Sequence, residues 1–384
     1  MGQCAKIMSM WQLYPLLFFF VFLVRFVIPL KAGKGIKLAI ALFALAIAQQ
    51  RFIVRFLFQN SSSSELPPWV TVLQGLLLAT LVFLTAFTLL RDIIGLGLLA
   101  YRRKYPKGLF SSWRSALGIG GLSLTLSALG VWQGIRVPYV YTREIALPNL
   151  PKELDGFTIV QLTDLHISRL FSADWVKAVA DRVNALEPDV IAITGDIVDG
   201  PPSRRIEDVR PLGGLNSHLG VFAVHGNHDF SSYQEWLAEF NELGIQVLVN
   251  EHAVLEHNGA LLILAGVTDS AAARVGTQPD IAKTLLDAPK DATKILMSHK
   301  PGNAGKNASA GIDLQLSGHT HGGQIAFLGL IVKNANNGYV SGLYEVGKMR
   351  LYLSNGTGVW TGFPIRLGRP AEITRIILRC QSYE

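Results

Sequence analysis

Charge is scarce in this chain: Asp, Glu, Lys and Arg make up only 16% of its 384 residues. The scarcity is uneven, because from about Leu150 onward charged, polar and apolar residues mix as in a soluble domain. The apolar excess therefore falls within the first 135 residues, and a chain of this length and unevenness divides into two structural units. Cysteine is almost missing. Cys4 and Cys380 stand near opposite ends and have neither zinc nor redox spacing, so no cysteine-built site is expected. Met1-Gly2-Gln3-Cys4 lacks the Ser or Thr that an acylation signal needs, since Lys6 stands there. No basic stripe with interleaved aromatics runs through the soluble part, so nucleic acid is not an expected partner despite a net charge of +7. Many basic residues fall between apolar stretches instead, where they set membrane topology.

Four apolar runs fill the first part. Residues 11–30 are broken only by Gln12 and Arg25, and are long enough for a hydrocarbon core of about 30 Å. A cleaved secretory signal is the other reading, but the run is long and Leu30-Lys31-Ala32-Gly33 is a poor cleavage site. Residues 36–58 form a weaker span, interrupted by Gln49, Gln50, Arg51 and Arg55. Residues 69–90 and 116–135 are nearly uncharged, the last rich in Gly and Ser as helix-packing faces in membranes are. The expectation is a transmembrane region of about four helices over 1–135, a linker over 136–150, and a soluble domain over 151–384.

Positive residues in short loops favour the cytoplasm. Lys31, Lys34, Lys37, Arg91, Arg102, Arg103, Lys104, Lys107 and Arg114 then lie inside, against Lys6, Arg51, Arg55, Arg136 and Arg143 outside. This places the C-terminal domain on the extracytoplasmic side of a multi-pass membrane protein.

Beyond residue 157 the pattern changes to short apolar runs separated by helical periodicity, the signature of a layered α/β domain. Strands are expected at 157–162, 190–194, 221–224, 261–266, 294–297 and 314–316. A helix over 174–186 puts Trp175, Val176, Val179, Val183 and Leu186 on one face, and another over 232–243 stops at Gly244. Five polar blocks follow strand ends: Thr163-Asp164-Leu165-His166, Gly195-Asp196-Ile197-Val198-Asp199, Gly226-Asn227-His228-Asp229, Ser298-His299 and Gly318-His319-Thr320-His321. Two divalent ions about 3.5–4 Å apart need a bridging carboxylate and further N or O ligands, and these blocks supply them. Glycines at 195, 226 and 318 let the backbone pass close to such ions.

The blocks, in this order, resemble the calcineurin-like metallophosphoesterase signature D-x-H, G-D, G-N-H-D/E, H and G-H-x-H. Ser354-Asn355-Gly356-Thr357-Gly358 is similar to the glycine-rich turn of the membrane-anchored bacterial-type branch. The resemblance implies an N-terminal α-helical transmembrane bundle followed by an α/β metallophosphoesterase domain, a double β-sandwich flanked by helices. It also implies that Asp164, His166 and His321 hold one metal, that Asn227, His299 and His319 hold the other, and that Asp196 bridges them. His228 would be the general acid or a transition-state donor near the leaving group, and Asp199 would orient it. Manganese, iron or zinc would suit the mixed N and O ligands.

The implied activity is that of a binuclear metal-dependent phosphohydrolase or phosphodiesterase, a metallophosphoesterase, with the substrate left open by the resemblance. About 15 residues between the last apolar run and the domain, a reach of at most about 50 Å, would hold the site near the headgroup layer, so a lipid or lipid-linked phosphate is the expected substrate. The partners are then the lipid bilayer and a phosphate-ester substrate. The alternative is a membrane transport or scaffold protein with a ligand-sensing metal domain; an intact ligand set and spans without paired acidic residues argue against it, Asp92 being the one carboxylate near a span end. A nuclease is a lesser alternative. Asp229 is expected to hold its loop, His225 to be structural or near the metals, and His218, His252 and His257 to be solvated. Arg366 and Arg369 could meet a substrate phosphate, though a solvated basic turn is the simpler expectation. Asn60, Asn307 and Asn355 head glycosylation-type triplets, which chance also produces.

Overall fold

The computed structural model describes residues 13–59, 62–102 and 110–381. Trp11 and Gln12 of the first run, Cys4, Lys6, Asn60 and Ser61 of the first glycosylation-type triplet, and Arg103, Lys104 and Lys107 of the basic loop lie outside the described residues. The chain forms two compact units, one running to Trp132 and including Gly362–Ile365, the other holding Gln133–Thr361 and the segment from Arg366.

The first unit is helical. Among the described residues two helices, Pro68–Tyr101 and Trp113–Ile135, have the length and hydropathy to cross a membrane, and a bent pair makes a third if taken as one span. Leu13–Val27 is a shorter apolar helix among the described residues, and the run over 36–58 breaks into Lys34–Ala48 and Gln50–Leu57, which meet at 68°. The break falls on Gln49, whose φ of −101° and ψ of 9° leave the helical region. There the amide of Gln50 turns aside to donate to the carbonyl of Gln74 at 3.1 Å. The helix expected to stop near Leu90 continues to Arg102, so Asp92 is buried within it rather than at its end. Its carboxylate is paired with Arg25 at 2.6 Å and Arg91 at 2.8 Å, which offsets the cost of burying the charge.

The second unit is built on two six-stranded sheets. One has the order β1 (Tyr139–Leu147), β12 (Glu372–Cys380), β2 (Thr158–Leu162), β3 (Val190–Thr194), β4 (Val221–Val224), β5 (Ile245–Val247). The other has the order β10 (Gly342–Val346), β11 (Met349–Leu353), β9 (Leu314–Ser317), β8 (Thr293–Met297), β7 (Ala260–Gly266), β6 (Glu251–His257). The segment expected as a linker over 136–150 is therefore largely strand: β1 pairs in parallel with β12 from Tyr139↔Glu372 to Leu147↔Cys380. Its partner lies more than two hundred residues away, which local patterning cannot register.

Strands covered on both faces carry apolar residues in both alternating sets, which is why they appear as continuous runs. Ile159, Val190, Ala192, Phe222 and Val224 face the second sheet, meeting Leu262, Leu264, Ile295, Met297, Leu314 and Leu316 in the sandwich core. The other set, Val160, Leu162, Ile191 and Ile193, packs against helices Ala173–Asn184 and Tyr233–Glu242. The first of these helices buries Val176, Val179 and Val183 completely, each such burial contributing about 1.5–3 kcal/mol. The second buries Trp236, whose indole N–H donates to the Gly200 carbonyl at 2.9 Å, and ends before Gly244, whose φ of +77° closes the helix.

Candidate metal centre

All five polar blocks leave the C-terminal ends of parallel strands, β2, β3 and β4 in one sheet and β8 and β9 in the other. The chain turns abruptly there. Asp164, His166, Asp196, His319 and His321 have φ of 53°, 47°, 50°, 71° and 49°, left-handed values that non-glycine residues adopt at a cost of roughly 1–3 kcal/mol each. So many in one place indicates that the surrounding fold holds the side chains against local preference. Close approach is the role of two of the glycines, since a methyl group on Gly226 would overlap the Asp196 carboxylate and one on Gly318 would overlap that of Asp164.

Among the described residues, ligand atoms converge in three groups, each with its atoms within 4.8 Å of one another: Asp164, His166 and His321; His166, Asp196 and His228; and Asp196, His299 and His319. Asp196 is common to two of them. Its Oδ2 lies 3.8 Å from Nε2 of His166 and 3.2 Å from Nε2 of His299, while Oδ1 accepts the backbone N–H of His228 at 2.9 Å. Nδ1 of His299 bonds the Thr194 carbonyl at 2.9 Å, so that in the neutral ring the proton stays there and Nε2 keeps its lone pair. That Nε2 faces Asp196 without the alignment of a hydrogen bond, and with Oδ1 of Asn227 it is buried with no hydrogen-bond partner. Buried polar atoms left in this way are costly unless something ligates them. Unpartnered N and O atoms around buried carboxylates are a donor set that fits divalent cations.

The buried carboxylates place the same demand for positive charge on His299 and His228. Burial opposes the charges of both Asp196 and His299, yet their mutual attraction holds the carboxyl well below its usual range and pushes His299 up to about 9. His228 is opposed by burial too, but Asp196 and the hydrogen bond to Asp199 push it up to about 10. Burial, then His299, drives His319 down to about 3.

His228 and Asp199 do meet, at 2.6 Å between Nδ1 and Oδ1. The second oxygen of Asp199 is 3.2 Å from Nδ1 of His166, a contact that had not been expected. Asp229 ties loops together as anticipated, accepting from the backbone of Ile197, Val198 and Gly226 at 2.9, 3.1 and 2.7 Å. His225 is buried among Phe230, Tyr233 and Phe240 with both ring nitrogens unpartnered, a core aromatic in effect. His218 is exposed; His252 and His257 are half-buried, His252 bonding the Thr284 carbonyl at 2.8 Å and His257 packing on Phe157. Asn307 and Asn355 are buried, which rules them out as glycan acceptors in the folded state.

Arg366 is not a solvated turn residue. It is fully buried, donating to the His321 carbonyl at 2.8 Å and the Gly358 carbonyl at 2.5 Å, with Nη2 3.2 Å from His321 Nδ1. Arg369 is half-buried with its stem against Gly322. The turn Ser354–Gly358 latches the first block, Thr357 and Gly358 donating to the carbonyls of Thr163 and Asp164 at 2.8 and 3.0 Å. Nothing in the sequence signals that Arg366 is buried, since Pro-Ile-Arg-Leu-Gly-Arg-Pro has the composition of a surface turn.

Residues 157–323 match the sequence profile of the calcineurin-like phosphoesterases. A transmembrane protein with metallophosphoesterase domain from Bos taurus is 34% identical over 70% of this chain and 67% of its own length. A protein of the same name from Danio rerio is 30% identical over 88% and 80%. The metallophosphoesterase YkuE of Bacillus subtilis is 32% identical over 72% of this chain and 97% of its own length. The chain belongs to the calcineurin-like metallophosphoesterase family. It is a metal-dependent phosphoric ester hydrolase with an apolar helical N-terminal part, and the transport or scaffold reading gives way to this one.

Proposed function

We propose that this chain is a two-metal phosphohydrolase whose substrate is a membrane lipid phosphate or a lipid-linked phosphate. Asp164, His166 and His321 would hold one ion, Asn227, His299 and His319 the other, and Asp196 would bridge them. The single observation that carries the assignment is the convergence of Asp164, His166 and His321, and of Asp196, His299 and His319, into ligand groups joined by a third that shares His166 with the first and Asp196 with the second. When bound, such ions lower the pKa of water and neutralise phosphate oxygens. Manganese, iron or zinc fits the donors.

The chain's own work is positioning and proton transfer. With Nδ1 of His228 committed to Asp199, its Nε2 is the atom that gives a proton to the leaving oxygen. The side chain of His228 is 31% exposed while that of His166 is fully covered, so a substrate can reach His228 but not His166.

A membrane substrate is supported by covalent length. Only Arg136, Val137 and Pro138 lie between the helix ending at Ile135 and the strand starting at Tyr139, a reach on the order of 14 Å. The multi-pass arrangement and the extracytoplasmic side rest on the distribution of Lys and Arg. The test is full-length protein in lipid, assayed with a phospholipid, a nucleotide and a soluble ester. A clear preference for the lipid is expected; nucleotides as much better substrates would overturn the reading.

A further inference from the structure

Within the helical unit, charge gathers where helix Leu13–Val27 ends. Pro29 has no N–H, so the Arg25 carbonyl, four residues before it, loses its helical donor. The backbone there widens into a π-helix over Leu23–Val27, in which the Ile28 N–H donates to the Leu23 carbonyl at 3.0 Å. Such widened turns are rare and are frequent at functional sites. The Arg25 carbonyl is satisfied from another helix instead. Arg91 donates to it through Nη2 at 2.5 Å, and the same guanidinium pairs with Asp92 at 2.8 Å and lies 4.9 Å from the Phe110 ring. Arg91 is thus a buried brace between the two helices.

Arg25 is held differently. Its Nε donates to Asp92 at 2.6 Å, but its Nη1 and Nη2 bond nothing among the described residues, and its side chain is 51% exposed. Two guanidinium groups therefore share one carboxylate, which leaves one positive charge uncompensated at the exposed fork of Arg25. Ile28, three positions after Arg25, and Leu89 and Leu96, one turn to either side of Asp92, are exposed apolar residues, so the fork emerges on a surface of the kind that faces lipid. Lys37 adds a second cation, its Nζ donating to the Ile28 carbonyl at 2.6 Å. Along helix Pro68–Arg102, Arg91 stands about 33 Å beyond the exposed Trp69 at 1.5 Å per residue, close to the thickness of a hydrocarbon core of about 30 Å. The charges and Trp69 then fall at opposite interfaces, each at headgroup depth. A guanidinium fixed at its root with two donors turned outward matches the paired oxygens of a phosphate.

We propose that Arg25, held by Asp92, binds the phosphate of an anionic phospholipid through Nη1 and Nη2, with Lys37 beside it. The uncompensated charge selects a headgroup that carries no cation of its own, phosphatidylglycerol over phosphatidylcholine. The site lies wholly within the helical unit and is independent of which ester the metal centre hydrolyses.

The experiment is native mass spectrometry of the full chain released from detergent micelles that hold equal amounts of phosphatidylglycerol and phosphatidylcholine, read as the dissociation constant of the first lipid bound. The wild type should hold phosphatidylglycerol about fivefold more tightly, the factor that one basic residue contributes beside anionic headgroups. Arg25→Gln should bring the two lipids to parity. Equal binding by the wild type, or a preference kept by Arg25→Gln, overturns the proposal. Arg25 also ties its helix to Asp92, so Ile28→Glu supplies a second reading should the Gln variant not fold. That substitution leaves the ion pair in place and sets a carboxylate three positions from the exposed fork, where it competes with the lipid. It too should bring the lipids to parity, and a preference kept at the wild-type value overturns the site. Inorganic phosphate added in large excess should leave the bound lipid in place; its displacement would make this a site for soluble phosphate and overturn the lipid assignment. No step of the assay is hydrolytic, so failure here leaves the metal centre and its substrate untouched.

Discussion

One carboxylate oxygen of Asp199 lies 2.6 Å from Nδ1 of His228 and the other 3.2 Å from Nδ1 of His166. A single residue therefore orients both the imidazole that a substrate can reach and one that a metal would claim. Asp199→Asn should lower turnover by about 10²–10⁴ and weaken metal binding by about 10–100-fold. Steady-state kinetics with metal titration separates the two effects. Unchanged metal affinity would confine the role of Asp199 to His228.

Asp196 is shared by two of the three ligand groups, so its loss should be felt at both. Asp196→Asn is expected to abolish hydrolysis and to lower the metal content of the purified protein. Chelation of the wild type should do the same, with activity returning on addition of manganese, iron or zinc. Full activity in the variant, or in stripped enzyme, would contradict the assignment.

For His228→Ala the metals should remain while turnover drops by about 10²–10⁴. The loss should shrink for esters whose leaving group needs no protonation. An equal loss across good and poor leaving groups would make His228 a positioning residue.

The two arginines of the Pro364–Pro370 turn should part company. Arg366→Ala leaves the carbonyls of His321 and Gly358 without their donor, at about 1–3 kcal/mol for each buried group, so lower thermal stability and lower metal occupancy are expected together. Arg366→Lys should recover part of both. Arg369→Ala should keep metals and stability and raise KM by about tenfold if this guanidinium meets a substrate phosphate.

Burial holds His225 down to about 4, so the fold favours its neutral ring. The unfolded chain, with an ordinary histidine, takes up the proton first as pH falls. The stability contributed by the neutral ring is therefore fully present above about pH 6.5 and is lost as pH falls toward 4. His225→Phe, which suits the cage of Phe230, Tyr233 and Phe240, should flatten that decline by about 2 kcal/mol at pH 5. Denaturant midpoints of the chelated protein at pH 7 and pH 5 give the comparison, and parallel declines in variant and wild type would refute it.

The sequence by itself determined the family, because five short polar blocks, each following an apolar run, stand in the order of the calcineurin-like signature. The proposed ligand roles of Asp164, His166, Asp196, Asn227, His299, His319 and His321 are what that resemblance implies, and the order of such blocks is a property of neighbours along the chain. The six central strands were legible for the same reason, being buried on both faces and so continuously apolar. Only the tertiary structure decided that residues after Arg136 form an edge strand, since β1 exists by virtue of its pairing with β12. It also decided that Arg366 is buried against His321 while Arg369 is not, and that Asp199 serves two imidazoles. In the helical part the sequence showed apolar runs, but the break at Gln49 and the burial of Asp92 beside Arg25 depended on which polar groups found partners across helices. Pairing between distant residues leaves no local period in a sequence, and burial of a charge depends on partners brought together only when the chain has folded.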